Sequence, residues 1–305
     1  MTSRQGTILC LGEPMVEFAE TGTPGLYRQG IGGDVSNVAI AAARQGAAAA
    51  MLTAIGADPF GDLLVEAWRA EGVDASAVRR DLGAATGIYF IGQSLDGPVF
   101  TYARAGSAAS RMTPASLDED AVRRAAILHV SGISMAIGTG PADTVFRAIA
   151  VAREAGVRIS VDTNLRLALW PLDRARATIH GAVAGADIAL PGLDDARRLT
   201  GRDDPAAICD FYLELGPSVV ALTLGADGAL LATPDRQVHV PAPRVEVVDT
   251  SGAGDCFDGA FLAELVAGRD AEAAARYAVA AATLSTRGHG AVAPIPTPAE
   301  VAGVM

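Results

Sequence analysis

The chain contains no lysine: all 24 basic residues are arginine, set against 35 acidic residues for a net charge of −11. That absence excludes a Walker-type phosphate lysine, a Schiff-base lysine and the strand lysine of protein kinases. Positive charge for an anionic ligand must come from arginine, from a bound metal ion or from backbone N–H groups. Cysteine is scarce as well. Cys10, Cys209 and Cys256 lie far apart with no CxxC pair, which fits small buried apolar roles in a reducing compartment. His129, His180, His239 and His289 do not cluster, so a zinc site and a Ser-His-Asp triad lack support. Aromatic residues make up only 5%, and no basic block exists, which argues against nucleic acid as a partner. No apolar run reaches ~18 residues, and no charged N-terminal stretch precedes an apolar core. A soluble, cytoplasmic protein without a membrane partner is expected.

What is present is enough for one large α/β domain: 305 residues, 50% of them hydrophobic. Strand-like and helical runs alternate. Strands are expected at Thr7–Gly12, Ala49–Ile55, Ile127–Ser131, Val157–Asp162, Ile188–Leu190 and Val219–Leu224. Helices are expected from Gly32-Gly33 to Gly46 and at Leu63–Gly72, Thr144–Ala155, Arg174–Ala184, Pro205–Leu215, Cys256–Ala267 and Ala271–Ser285. This alternation predicts a mostly parallel sheet with helices on both faces. Residues 13–31 are mixed and suit short strands outside the main core.

Residues 86–104 break the pattern. Asp96-Gly97 between two strand-like runs predicts a two-residue hairpin turn, with Leu95 opposite Pro98, Gln93 opposite Phe100, Ile91 opposite Tyr102 and Tyr89 opposite Arg104. Alternation then puts Tyr89, Tyr102 and Arg104 on one face. Two phenols and a guanidinium form either a solvated cation–π cluster or a lid over a polar, anionic small molecule.

Residues 249–261 carry the strongest chemical signal. Gly252, Ala253 and Gly254 precede Asp255 and an apolar helical run. A glycine-rich turn at a helix N-terminus aims backbone N–H groups one way, and the helix dipole favours an anion there. Asp255 either caps the helix or takes a proton from a hydroxyl beside a bound phosphate, as in a kinase. Thr223-Leu224-Gly225-Ala226-Asp227-Gly228 follows a strand and reads as an ordinary turn or as a nucleotide approach. Asp162-Thr163-Asn164-Leu165-Arg166 also follows a strand, at the sheet edge where α/β folds bind ligands. Arg166 there forms a salt bridge with Asp162 or a neighbour, or binds a ligand. Ser36 or Asn37 serves as a helix cap or belongs to a site.

Together these pieces resemble the ribokinase-like (PfkB) carbohydrate kinases over nearly the whole chain. The carriers are Gly32-Gly33-Asp34-Val35-Ser36-Asn37 and the 249–261 run. Within the family the likeness is greatest to 2-keto-3-deoxygluconate kinases, through Gly12-Glu13-Pro14, Tyr102-Ala103-Arg104-Ala105-Gly106-Ser107-Ala108-Ala109-Ser110, His129-Val130-Ser131-Gly132-Ile133 and Asp162–Trp170. The resemblance implies one Rossmann-like domain over residues 1–305 with a small β lid drawn from about 13–31 and 86–104. It implies ATP, with Mg²⁺, over Thr223, Gly225, Ala226 and Gly228, near residues 281–290, and touching Asn164, Arg166 and the Gly252-Ala253-Gly254 turn. A monovalent cation is a further candidate ligand. The sugar would touch Gly33, Asn37, Tyr89, Tyr102, Arg104 and Arg166, with Asp255 as base. An unperturbed aspartate, pKa about 3.9, is ionised at neutral pH.

Two arginines suit a sugar acid, because guanidinium pairs bidentately with carboxylate. The resemblance also implies a homo-oligomer, a dimer or larger. Two departures stand out. Where many members carry Asn-x-x-Glu, linked to the Mg²⁺ water shell, this chain has Gly192-Leu193-Asp194-Asp195, leaving Asp195 as the candidate acid and no protein metal ligand. Arg287-Gly288-His289-Gly290 has no acid to offer sugar or adenine. The competing readings are a kinase for a neutral sugar such as fructose or for a nucleoside, and a non-catalytic sugar or nucleotide sensor.

Overall fold

Apolar runs only three to eight residues long are too short for core helices and become strands buried on both faces. The computed structural model describes residues 6–23, 25–94 and 97–305. The order begins with β1 (Ile8–Leu11), β2 (Met15–Glu20), β3 (Tyr27–Gly32), α1 (Asp34–Arg44), β4 (Ala49–Gly56), α2 (Pro59–Ala70), β5 (Val73–Asp74) and β6 (Val78–Asp81). It continues through β7 (Gly87–Ser94), β8 (Gly97–Ala103), α3 (Glu119–Arg124), β9 (Ile127–Ser131), α4 (Gly132–Ala136), α5 (Thr139–Ala155), β10 (Arg158–Asp162), α6 (Leu172–Val183) and β11 (Ile188–Leu190). Then follow α7 (Leu193–Thr200), α8 (Pro205–Leu215), β12 (Val219–Thr223), β13 (Ala229–Thr233), β14 (Arg236–Val240), α9 (Ala253–Val266), α10 (Ala271–Ser285) and α11 (Pro298–Ala302).

The main sheet runs β14-β13-β12-β11-β10-β9-β1-β4-β5, with β6 beside β4, and is parallel except at β12-β13-β14. The central strands feed both faces. Ile8 and Cys10 of β1 join the core layer under α1, α9 and α10, whereas Leu9 and Leu11 join the layer under α5, α6 and α8. This is the expected ribokinase-like α/β arrangement. The expected boundaries differ at a few elements. Helix α5 begins at Thr139 rather than Thr144, because Pro141 stands in its first turn, where a missing N–H costs nothing. Strands β13 and β14 extend the sheet past the 223–228 turn.

A second sheet has the order β3-β2-β7-β8. The β7–β8 ladder pairs Tyr89 with Tyr102, Ile91 with Phe100 and Ser94 with Gly97, two residues off the register expected from an Asp96-Gly97 turn. Asp96 and Leu95 of that expectation lie outside the described residues. Cross-strand stacking favours the observed register, with the rings of Tyr89 and Tyr102 6.0 Å apart. A shift of two keeps the face, so Tyr89, Phe100 and Tyr102 share one side. Phe18 and Phe90 occupy the other and stack at 5.4 Å, and Phe18 meets Phe60 of α2 edge-on.

One close helix crossing positions the site. At Gly259 of α9, a Cβ would fall 2.6 Å from the Val38 carbonyl oxygen and 2.8 Å from the Ala42 nitrogen of α1. Backbone therefore packs on backbone where the two helices meet.

Candidate functional site

The carboxyl ends of β10, β11 and β12 and the N-terminus of α9 enclose a cleft of about 240 Å³. It is lined by Asp162, Asn164, Arg166, Gly192, Asp195, Thr223, Gly252, Gly254, Asp255 and Asp258, among others. Ligands of open α/β sheets bind at such an edge.

The turn into α9 is built for close approach. Gly252 takes φ +72°, and a Cβ there would sit 2.6 Å from Ala291 Cβ. The Ala253 N–H donates to the Thr250 carbonyl at 3.2 Å, so one of the three expected anion-hole groups is engaged. Among the described residues the N–H groups of Gly254 and Asp255 have no backbone acceptor. Nothing lies within 4 Å of where a Cβ on Gly254 would stand. Asp249 braces the turn by accepting from Ser251 N–H at 2.9 Å and Gly290 N–H at 2.8 Å. Burial pushes its carboxyl up, but those donors outweigh burial and hold it below the ordinary range. The 287–290 segment thus has a tethering contact.

Asp255 sits half-buried in the first turn of α9. Its Oδ2 accepts from Asn37 Nδ2 of α1 at 2.7 Å. Asn37 is therefore not a helix cap. Gly33 holds that position with φ +103°, and a Cβ there would press on Pro14 Cα at 2.9 Å. Ser36 is occupied too, accepting the Trp68 indole N–H at 2.9 Å. Burial, then the Asp34 carboxylate, pushes the Asp255 carboxyl up to about 7, against the opposing pull of Asn37 and Arg166. The ordinary aspartate value assumed from sequence is corrected: a desolvated acid among acids titrates near neutrality.

Three further acids share this region, and composition alone does not single them out. Asp34 Oδ2 accepts from Asn164 Nδ2 at 3.1 Å, while its buried Oδ1 has no partner among the described residues. Asp258 lies one helical turn beyond Asp255, with a buried and unpartnered Oδ2. Burial and then neighbouring carboxylates push both Asp162 and Asp258 well up. Asn164, expected at the nucleotide, lines the cleft but spends its amide on Asp34 and its N–H on Asp162 Oδ1 at 3.0 Å. It holds φ +25°, a conformation rare outside glycine.

Arg166 is about half exposed at the cleft edge, 3.8 Å from Asp195 and bonded to its own neighbour's carbonyl, that of Leu165, at 2.9 Å. Asp195 accepts the Leu165 N–H at 2.9 Å, and burial raises its carboxyl despite Arg166. An adjoining hollow is lined by Gly192, Asp194, Asp195, Thr223 and Gly225. Ala226 and Gly228 do not line either cavity, and Gly228 instead packs against residues 240–242. Among the described residues no group of three or more His, Cys, Asp or Glu is placed to hold a metal ion.

On the small sheet the expected ligand groups already have partners. The Tyr89 hydroxyl donates to Glu17, and burial raises its pKa. Arg104 forms an ion pair with Glu13, whose side chain is fully buried. Arg104 also lies over the Tyr102 ring at 5.5 Å. Ser107 Oγ donates to the other Glu13 oxygen at 2.8 Å. Burial pushes the Glu13 carboxyl up, with Arg104 and Ser107 pulling against it. Removing one partner of a buried pair typically costs about 3–5 kcal/mol. Glu13 follows the fully apolar β1 by two residues, which marks it as an acid near the core but does not name its partner.

The geometry agrees with comparisons to known proteins. The model of the "pfkB family carbohydrate kinase" matches residues 8–298. A 2-dehydro-3-deoxygluconokinase from Thermoproteus tenax is 35% identical, over 96% of this chain and 93% of its own length. Fructokinase-1 of Oryza sativa subsp. japonica is 33% identical, over 100% of this chain and 99% of its own. A putative ribokinase II from E. coli, solved in complex with ATP and Mg²⁺, superposes with a TM-score of 0.91 at 26% identity, covering 98% of both chains. With the mostly parallel sheet, the small second sheet and the Gly-Ala-Gly-Asp turn at the cleft, and with that family match over residues 8–298, the chain belongs to the pfkB family of carbohydrate kinases.

Proposed function

We propose that the protein transfers the γ-phosphoryl group of ATP to the primary hydroxyl of a sugar acid, 2-keto-3-deoxygluconate giving its 6-phosphate. The observation that carries the chemistry is Asp255, half-buried, pinned by Asn37 and beside N–H groups without acceptors. The sugar hydroxyl gives its proton to Asp255 as its oxygen attacks the γ-phosphorus and ADP leaves. A base with a pKa near the working pH suits this transfer. The N–H groups of Gly252, Gly254 and Asp255 stabilise the charge on the transferring phosphoryl, and Ala253 joins them by giving up the Thr250 carbonyl. The open space at Gly254 fits a phosphate. Mg²⁺ brought with ATP supplies charge that lysine supplies in other kinases. Asp195 is a candidate for its water shell, and a monovalent cation is a further candidate ligand.

In this reading the chain is one kinase domain, with the β3-β2-β7-β8 sheet as a lid that excludes water. ATP lies along Gly192, Thr223 and Gly225. The sugar lies between Gly33, Asn37, Tyr89, Tyr102, Arg104 and Arg166. The protein works in the cytoplasm as a homo-oligomer, a dimer or larger, with its lids packed on one another. Among the described residues no helix is long and apolar enough to cross a membrane.

A neutral ketose is the second reading. It is favoured by the pairing of Arg104 and Tyr89 with Glu13 and Glu17, which spends the groups that a carboxylate needs. ATP consumption with 2-keto-3-deoxygluconate, its galactonate epimer, fructose and ribose side by side separates the two. The sugar acids are expected to give the highest kcat/KM; a preference for fructose rejects the sugar-acid reading.

A further inference from the structure

All four passages between the main sheet and the small sheet meet at residue 13. Glu13 itself lies on the first, between β1 and β2. Gly33 lies on the second, between β3 and α1, and a Cβ there would strike the Glu13 carbonyl. Gly87 opens β7 on the third, and a Cβ there would lie 3.0 Å from Glu13 Oε1. Arg104 and Ser107 follow β8 on the fourth, and both bind the Glu13 carboxylate, one to each oxygen. The side chain of Glu13 is fully enclosed, and Arg104 is about nine-tenths so. Among the described residues the guanidinium has no acceptor other than Glu13.

We propose that Glu13 is a positioning residue for the substrate carboxylate: it fixes the Arg104 guanidinium and leaves its other N–H groups ready for an acid. This inference rests on the sugar-acid reading. A guanidinium has five N–H donors in a rigid fork, so one carboxylate does not exhaust it. The ion pair also removes the rotamer freedom that a long side chain would otherwise lose on binding. The Glu13 side chain is fully enclosed, so its influence on a ligand passes through Arg104.

The test measures kcat, KM for 2-keto-3-deoxygluconate and KM for ATP in the wild type, Glu13→Gln, Arg104→Ala and the double variant. Glutamine keeps the Ser107 hydroxyl on its oxygen but turns an amide N–H toward the guanidinium. Two donors then face each other and Arg104 is released. Glu13→Gln is expected to raise the sugar KM about tenfold, with kcat and the ATP KM within about twofold. The double variant is expected to be no worse than Arg104→Ala. If Arg104→Ala raises the KM and Glu13→Gln does not, the inference fails and the sugar-acid reading stands. If neither raises it, or the wild type does not turn over the acid, the sugar-acid reading fails and takes the inference with it. Parallel loss of kcat and ATP affinity, or additive effects in the double variant, marks a merely structural role and overturns the inference. Should Glu13→Gln not fold, Ser107→Ala frees the same carboxylate from its other side. A rise of about threefold in sugar KM alone then supports the inference, and an unchanged KM overturns it.

Discussion

The α9 turn and the small sheet are prepared in opposite ways. At the α9 turn, donors point at open space: Gly254 and Asp255 offer N–H groups that nothing in the described chain accepts. On the small sheet, Tyr89 and Arg104 are each matched to a carboxylate, Glu17 and Glu13. Donors without acceptors bind an anion with little rearrangement, the Ala253 N–H alone having a bond to give up. Groups already paired must exchange or share partners. In the proposed reading the α9 turn is a preorganised phosphate end, whereas the small sheet is a sugar end that discriminates by what it costs to disturb the existing pairs.

The contrast can be broken most severely at Asp255. Asp255→Asn is expected to lower kcat about 10³-fold, measured by coupled ADP release. Its stability should move the other way. Folding raises this carboxyl from 3.8 to about 7, so the native state holds the proton more tightly than the unfolded chain. Ionisation then costs stability as pH rises through that window. The asparagine variant is expected to melt higher than wild type at pH 8, with little difference at pH 4. An unchanged melting temperature at both values would remove burial as the cause of the shift.

Gly252→Ala attacks the same turn through the backbone. The left-handed φ and the contact with Ala291 force the turn to move, and a loss of about 10²-fold in kcat is expected with modest destabilisation. Wild-type kinetics for that variant would show that the turn does not hold the phosphoryl group. Tyr89→Phe tests the small sheet, since it deletes only the hydroxyl bound to Glu17. A change of about threefold in sugar KM, with kcat unchanged, is expected there. Asp34→Asn sharpens the comparison most finely. Removing that charge lowers the Asp255 pKa, so the acid limb of the kcat/KM profile should shift down by about one unit. A limb that stays near pH 7 would mean that burial alone sets it.

The α9 turn was legible because its requirements are local. A left-handed glycine, a second glycine and an acid in the first turn are adjacent in the chain, and no distant partner is needed to recognise them. The alternation of strands and helices was legible for the same reason. The Glu13–Arg104 pair joins residues on different crossings, and nothing near Arg104 reveals that its charge is already met. Asp34 looks like an ordinary acid on a helix until the folding of α1 against α9 brings it near Asp255, and Asp258, one turn along α9, looks like a surface acid until that packing buries it. The hairpin register failed by two because cross-strand aromatic stacking outweighed the local turn signal, although the face assignment of Tyr89 and Tyr102 survived the shift.

The glycine at position 259 acquires a further meaning here. Asn37 and Asp255 stand on separate helices, 218 residues apart in sequence, yet share a bond of 2.7 Å. The bare backbone at Gly259 lets α1 and α9 approach closely one turn from that bond. The crossing acts as a mechanical gauge: interhelical spacing there bears on how the carboxylate is held. A methyl group at this position, which would press on the α1 backbone, is expected to alter the acidity and the aim of Asp255 together.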